Sequence, residues 1–166
     1  GVDVNPDIVS TINSGKIHIL EPGLEAVVCE SVNEGKLRAS PTPEPSQAFL
    51  IAVPTPIIPD TLMPNLDYIK AAAVSIAPVI EPGNLVVLES TVPVGSTENL
   101  CKWLSLERPE LTFPDTHGEA SDIRIAHCPE RVLPGRVMQE LTENDRVIGG
   151  MSRACSELAK GLYSIL

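Results

Sequence analysis

The chain has 166 residues, 43% of them hydrophobic and 20% charged, which is the composition of one folded domain and excludes a disordered segment. Its formal net charge is −10 and its Lys and Arg residues form no cluster, so neither nucleic acid nor an anionic membrane surface is expected as a partner. The longest apolar runs, Phe49–Val53 and Leu85–Leu88, are far too short to span a bilayer, and no basic, apolar leader opens the chain, which reads as cytoplasmic.

Gly1-Val2-Asp3-Val4-Asn5 has the pattern of a strand end closing on an acidic residue, with Pro6 at a favourable first helical position behind a candidate Asn5 cap. Helical character follows from Asp7 to about Ser14 and from Pro22 to about Asn33, with Gly15 and Gly35 as terminators. Leu37–Ala39 reads as a weak strand. Ala48–Val53 is a continuous apolar run stopped by Pro54, the pattern of a strand buried on both faces. The Pro41–Pro45 stretch between them is a connecting loop.

Leu66 to about Val79 is Ala-rich and periodic, Leu85–Glu89 is a second apolar strand, and Ser96–Leu106 a further helix. Short strands are expected at Ile123–His127 and Val147-Ile148, and an amphipathic helix from Met151 to Leu166. Strands alternating with helices at this spacing predict an α/β fold with an open, doubly wound parallel sheet, whose ligands bind beyond the carboxyl ends of the strands. The sixteen prolines fall between the apolar runs, as loop punctuation. Cys29, Cys101, Cys128 and Cys155 are widely separated and form no CxxC pair, so reduced thiols are expected, with no disulfide framework and no metal site.

Candidate chemistry lies at the strand ends, and each residue admits a plain structural role beside a functional one. Asp3 is placed either to accept hydrogen bonds from the ribose of a dinucleotide or to cap a helix. Thr55, between Pro54 and Pro56, either presents a hydroxyl to the ligand crevice or forms a tight turn. Glu89–Thr97 leads a strand into a helix, where hydroxyls and free amides suit a phosphate or an amide; the plain alternative is an N-cap from Ser96 or Thr97. Glu130 is of a type to act as a base or position a water, and Arg131 to hold a phosphate in its planar fork, unless the two are a surface ion pair. Cys128, before Pro129, reads as a small buried group rather than a nucleophile.

Taken together, these segments resemble the UDP-glucose/GDP-mannose dehydrogenase family over essentially the whole chain. The resemblance runs through Gly1–Asn5, Ile17–Pro22, Leu50–Pro56, Glu89–Thr97, Cys128–Gly135 and Asn144–Gly150. It implies a Rossmann-like NAD-binding domain over residues 1–166 that is incomplete at the N-terminus, lacking the first strand and its glycine-rich turn, with the family's central and C-terminal domains absent. By resemblance Asp3 contacts the NAD ribose, Thr55 and Thr97 lie on the cofactor, Thr91 and Glu130 place water during hydrolysis, and Arg131 and Val132 touch the nucleotide sugar.

The Cys-Pro-Glu-Arg-Val-Leu-Pro-Gly form is similar to the branch that takes UDP-N-acetylmannosamine. The UDP-glucose branch typically has Phe after the same Glu and a second Glu where this chain has Pro134. The family oxidises a primary alcohol to a carboxylate in two hydride transfers to NAD, through a cysteine-bound thioester assisted by a lysine. Neither the family's Lys-Leu-x-Glu-Asn-like segment nor its Gly-Gly-His-Cys-like segment occurs here, so the fragment alone is expected to be inactive. The resemblance further implies a UDP-sugar as partner, a homodimer for the complete enzyme, and a marginal fold for the fragment in isolation.

Overall fold

The computed structural model describes residues 1–165, and the chain forms two compact units, one of Gly1–Pro43 with Arg131–Asp145, the other of Glu44–Glu130 with the chain from Arg146 onward.

In the first unit α1 (Pro6–Asn13) starts where Asn5, in extended conformation, accepts the Asp7 amide on its side chain. Pro6 stands at the first helical position, where a missing N–H costs nothing. α2 (Leu24–Asn33) buries only Val28, and the chain leaves the two helices where Gly15 and Gly35 stand. The strand expected at Leu37–Ala39 does not form. The Asn13 side chain donates to Ala39 O at 2.9 Å and accepts from Ala39 N at 2.8 Å, taking the backbone groups a ladder would use. Pairing is confined to one parallel bridge, Val2 with Ser40, where Asp3 N donates to Ser40 O.

The second unit is built on four strands in the order β1-β2-β3-β4: β1 (Ala48–Ile51), β2 (Leu85–Leu88), β3 (Arg124–His127) and β4 (Gly149–Gly150). The first three are parallel, joined through α3 (Asp67–Ile76) and α4 (Ser96–Glu107), as expected of βαβ units. Alternation along β2 divides the core. Val86 and Leu88 pack with Phe49, Ile69, Leu100 and Ile125 in one cluster, while Leu85 and Val87 pack with Ala126, Cys128 and Tyr163 in another. Each fully buried Val, Leu or Ile among them contributes about 1.5–3 kcal/mol.

Three expectations need correction. β1 is not buried on both faces: Phe49 and Ile51 on one face enter the core, whereas Leu50 on the other joins neither core cluster and is 47% exposed. The last strand falls at Gly149–Gly150 rather than Val147-Ile148, and it joins β3 antiparallel. A Cβ on Gly150 would stand 2.3 Å from Ser156 N, so only glycine lets this backbone meet the first turn of α7 (Arg153–Tyr163). Two short helices were not foreseen, α5 (Pro114–His117) in the second unit and α6 (Val137–Glu143) in the first. The closing helix ends at Tyr163, and its expected last residue, Leu166, lies outside the described residues.

Candidate functional site

Within the sheet unit the carboxyl ends of β1 and β2 are laced together by the residues that follow them. Glu89 N and Ser90 N both donate to Ile51 O, and the buried Ser90 hydroxyl donates to Val53 O at 2.7 Å. Thr55 then donates its hydroxyl to Thr91 O at 2.8 Å. Thr55 and Thr91 are therefore brought together, and Thr55 serves as a cross-strand tie rather than a bare turn residue. Glu130, exposed, donates its amide to Glu89 O at 3.2 Å, which sets it beside the same strand ends.

The helix start behind Thr91 differs from expectation. Neither Ser96 nor Thr97 caps α4: the N-cap is Gly95, left-handed at φ 92°, and the Ser96 hydroxyl turns back to Pro93 O at 2.8 Å. A left-handed glycine brings no side chain to the helix end. The Ser96 amide donates to Pro93 O, whereas the Thr97 amide has no intrahelical acceptor and no side-chain cap, and the positive end of the helix dipole lies there. Such a donor suits a phosphate or another polar group of a ligand, and Thr97 supplies a hydroxyl on the same turn.

Behind the strand ends sits a polar cluster that the sequence reading passed over. Tyr163 donates its hydroxyl to Glu89 Oε1 at 2.5 Å, and the Arg146 guanidinium lies 4.8 Å from the centre of the Tyr163 ring. Burial, then the Glu89 carboxylate, push the Tyr163 phenol well above its ordinary range. Cys128, in the same cluster, is raised mainly by burial, and Cys101 is pushed up to about 12 by the same cause. Thiols held protonated in this way are not nucleophiles, which agrees with reading Cys128 as a packing residue. Glu89 is separated from Tyr163 by 74 residues, so no local pattern announced the pair.

In the other unit Asp3 does not cap a helix. Its Oδ1 accepts the Asn5 amide at 2.8 Å in a local turn, and Asn5 is the cap of α1. Arg131 Nη1 donates to Asp145 O at 3.0 Å, and Asn144 Nδ2 donates back to Arg131 O at 3.1 Å, so the segment's two ends are tied to each other. Val132 is half-buried beside them. A buried carboxylate that sequence reasoning also missed, Glu21, accepts the amides of Gly135 and Val137.

The NAD-binding domain of the UDP-glucose/GDP-mannose dehydrogenase family matches residues 1–166. The chain belongs to that family. Among curated members, the NDP-N-acetyl-D-galactosaminuronic acid dehydrogenase of Ralstonia nicotianae is 61% identical over 99% of this chain and 39% of its own length. The UDP-N-acetyl-D-mannosamine dehydrogenase of Campylobacter jejuni is 59% identical over 99% of this chain and 40% of its own. In structure, the UDP-N-acetyl-mannosamine dehydrogenase of Staphylococcus aureus superposes with a TM-score of 0.89 at 39% identity, covering 99% of this chain and 38% of that one. The chain thus spans about two fifths of the length of these family members. NAD is the cofactor of the matched domain.

Proposed function

We propose that this chain is the NAD-binding part of a longer nucleotide-sugar 6-dehydrogenase that oxidises the primary alcohol of UDP-N-acetyl-D-mannosamine to a carboxylate. The observation that carries the reading is the strand-end lacing of Thr55, Ser90 and Thr91 before an uncapped helix, in a chain 59% identical to a dehydrogenase of that name. Bound NAD accepts the hydride in each of the two oxidations.

The chain's own residues bind and orient. Thr55 and Thr97, the latter in the first turn of α4, lie along the cofactor, and Asp3 uses the carboxylate oxygen not engaged by Asn5 for the ribose hydroxyls. Glu130 and Thr91 hold the water that releases the acid, with Glu130 taking its proton. Arg131 presents its fork to the nucleotide phosphate, pre-set by Asp145 O, and Val132 packs on the sugar nucleotide. The complete enzyme is a cytoplasmic homodimer with no role for nucleic acid or membrane; no described helix is long and apolar enough to cross a bilayer.

A second reading differs only in the sugar. The 61% identity to a dehydrogenase named for N-acetyl-D-galactosaminuronic acid favours an N-acetylated hexosamine of the galacto series equally. Nicotinamide reduction by the full-length chain separates the two: UDP-N-acetylmannosamine is expected to yield two reduced cofactors per sugar and UDP-N-acetylgalactosamine far fewer, and the reverse order replaces the first reading with the second. No reduction with any nucleotide sugar removes both. Arg131→Ala is expected to weaken nucleotide-sugar binding about tenfold with little change for NAD, since it loses a charge-assisted contact.

A further inference from the structure

We infer that Glu21 is a positioning residue for the nucleotide sugar, acting through the segment that carries Arg131 and Val132. The inference rests on the reading that those two residues meet the substrate. Glu21 is one of the few buried polar side chains, 9% exposed, and it spends both carboxylate oxygens on backbone amides far along the chain. Oε2 accepts Gly135 N at 2.8 Å and Oε1 accepts Val137 N at 2.8 Å, across 114 and 116 residues. Two charge-assisted bonds to amides two residues apart fix the direction of a backbone as well as its position.

The anchor is itself held. Leu24 N donates to Glu21 O in the turn that opens α2, and Pro22 restricts the backbone between them. The anchored end needs it: Val137 is the first residue of α6, whose N-cap, Arg136, makes no side-chain cap. Glu21 takes that role from the other end of the sequence and places a negative charge where the helix dipole favours one. A Cβ at Gly23 would lie 3.7 Å from Met138 Cγ, so the first turn of α6 rests against the same turn.

Three further bonds of the segment close it on itself. Leu133 N donates to Glu140 Oε2, Asn144 Nδ2 to Arg131 O, and Arg131 to Asp145 O. These ties fix its shape, and Glu21 fastens that shape to the turn before α2. Arg131 lies four residues from the first anchored amide, within the span that a loosened anchor would displace, and small displacements of a binding group are costly.

The test uses the full-length enzyme with Glu21→Gln, Glu21→Asp and Arg131→Ala side by side. Gln keeps the volume but turns an NH2 toward one of the two amides. Glu21→Gln is expected to raise KM for the nucleotide sugar about tenfold, leave KM for NAD within about twofold, and speed tryptic cleavage after the exposed Arg136. Glu21→Asp keeps the charge, and partial recovery of the sugar KM is expected. An unchanged sugar KM in Glu21→Gln, with Arg131→Ala still impaired, overturns the inference and leaves the substrate reading intact. If Arg131→Ala is unimpaired as well, the substrate reading falls with it. Parallel rises in both KM values with a lowered melting temperature would mark Glu21 as a general structural residue and also overturn the inference.

Discussion

The two units of this chain are held together by different physics. The sheet unit is organised by apolar burial, with Leu88, Leu100, Leu104 and Ile125 fully enclosed on its clustered faces. In the other unit Val28 is the one buried apolar side chain among the described residues, and order comes from polar ties between side chains and backbone: Asn13 with Ala39, Asn5 with Asp7, Glu21 with Gly135 and Val137. The candidate residues divide along the same line. Thr55, Thr91, Thr97 and Glu130 belong to the apolar unit, and Asp3, Arg131 and Val132 to the polar one. A unit with a dense core tolerates the loss of one hydrogen bond, whereas a polar-tied unit has little else to fall back on.

The contrast is most directly broken by paired cavity variants. Leu88→Ala should cost about 2–5 kcal/mol and Val28→Ala about 1–2 kcal/mol in urea unfolding of the full-length protein, since the second removes fewer carbons from a less enclosed site. Equal costs would mean that the polar unit has a core of comparable weight. Asn5→Ala sharpens the other half: losing the α1 cap should cost about 1 kcal/mol, read as faster amide exchange confined to α1. Faster exchange in β2 would show that the two units do not open separately.

The smallest effect concerns acid. In the sheet unit the Thr112 hydroxyl and amide hold the Asp122 carboxyl below its usual value, the hydroxyl being the larger cause. A depressed folded-state pKa adds stability above the unfolded value of about 3.9, and that stability is lost as pH falls through the folded value. The stability difference between the natural chain and Asp122→Asn should therefore be steady from neutral pH down to about 5 and close below about 4. A difference that persists in stronger acid would assign it to shape rather than charge.

What was legible in the sequence follows the same division. β2 and the helices α3 and α4 were readable because apolar runs and helical spacing are local signals, and they decide elements whose stability is burial. β4 was misplaced because its position depends on the approach of Ser156 to Gly150, a contact that hydropathy does not encode. The weak strand at Leu37–Ala39 failed because a single Asn13 side chain outcompeted a ladder. At the candidate site, Thr55 and Thr91 could be flagged from their strand ends. The Glu89–Tyr163 bond and the Glu21 anchor could not, because each joins residues at least 74 apart. Chemistry-bearing residue types were visible, and the partners that aim them were not.

The closure of Arg131 onto Asp145 has a consequence for how such a protein can change. A stretch of chain whose entrance and exit are stapled to each other behaves as a cassette: the interior positions that the Glu21 anchor does not hold can be rewritten while the path of the chain outside the staple stays the same. Selectivity for one sugar over another can then drift by editing positions such as Val132 and Pro134, with the Glu21 anchor at Gly135 and Val137 and the Asn144 and Asp145 clasp retained.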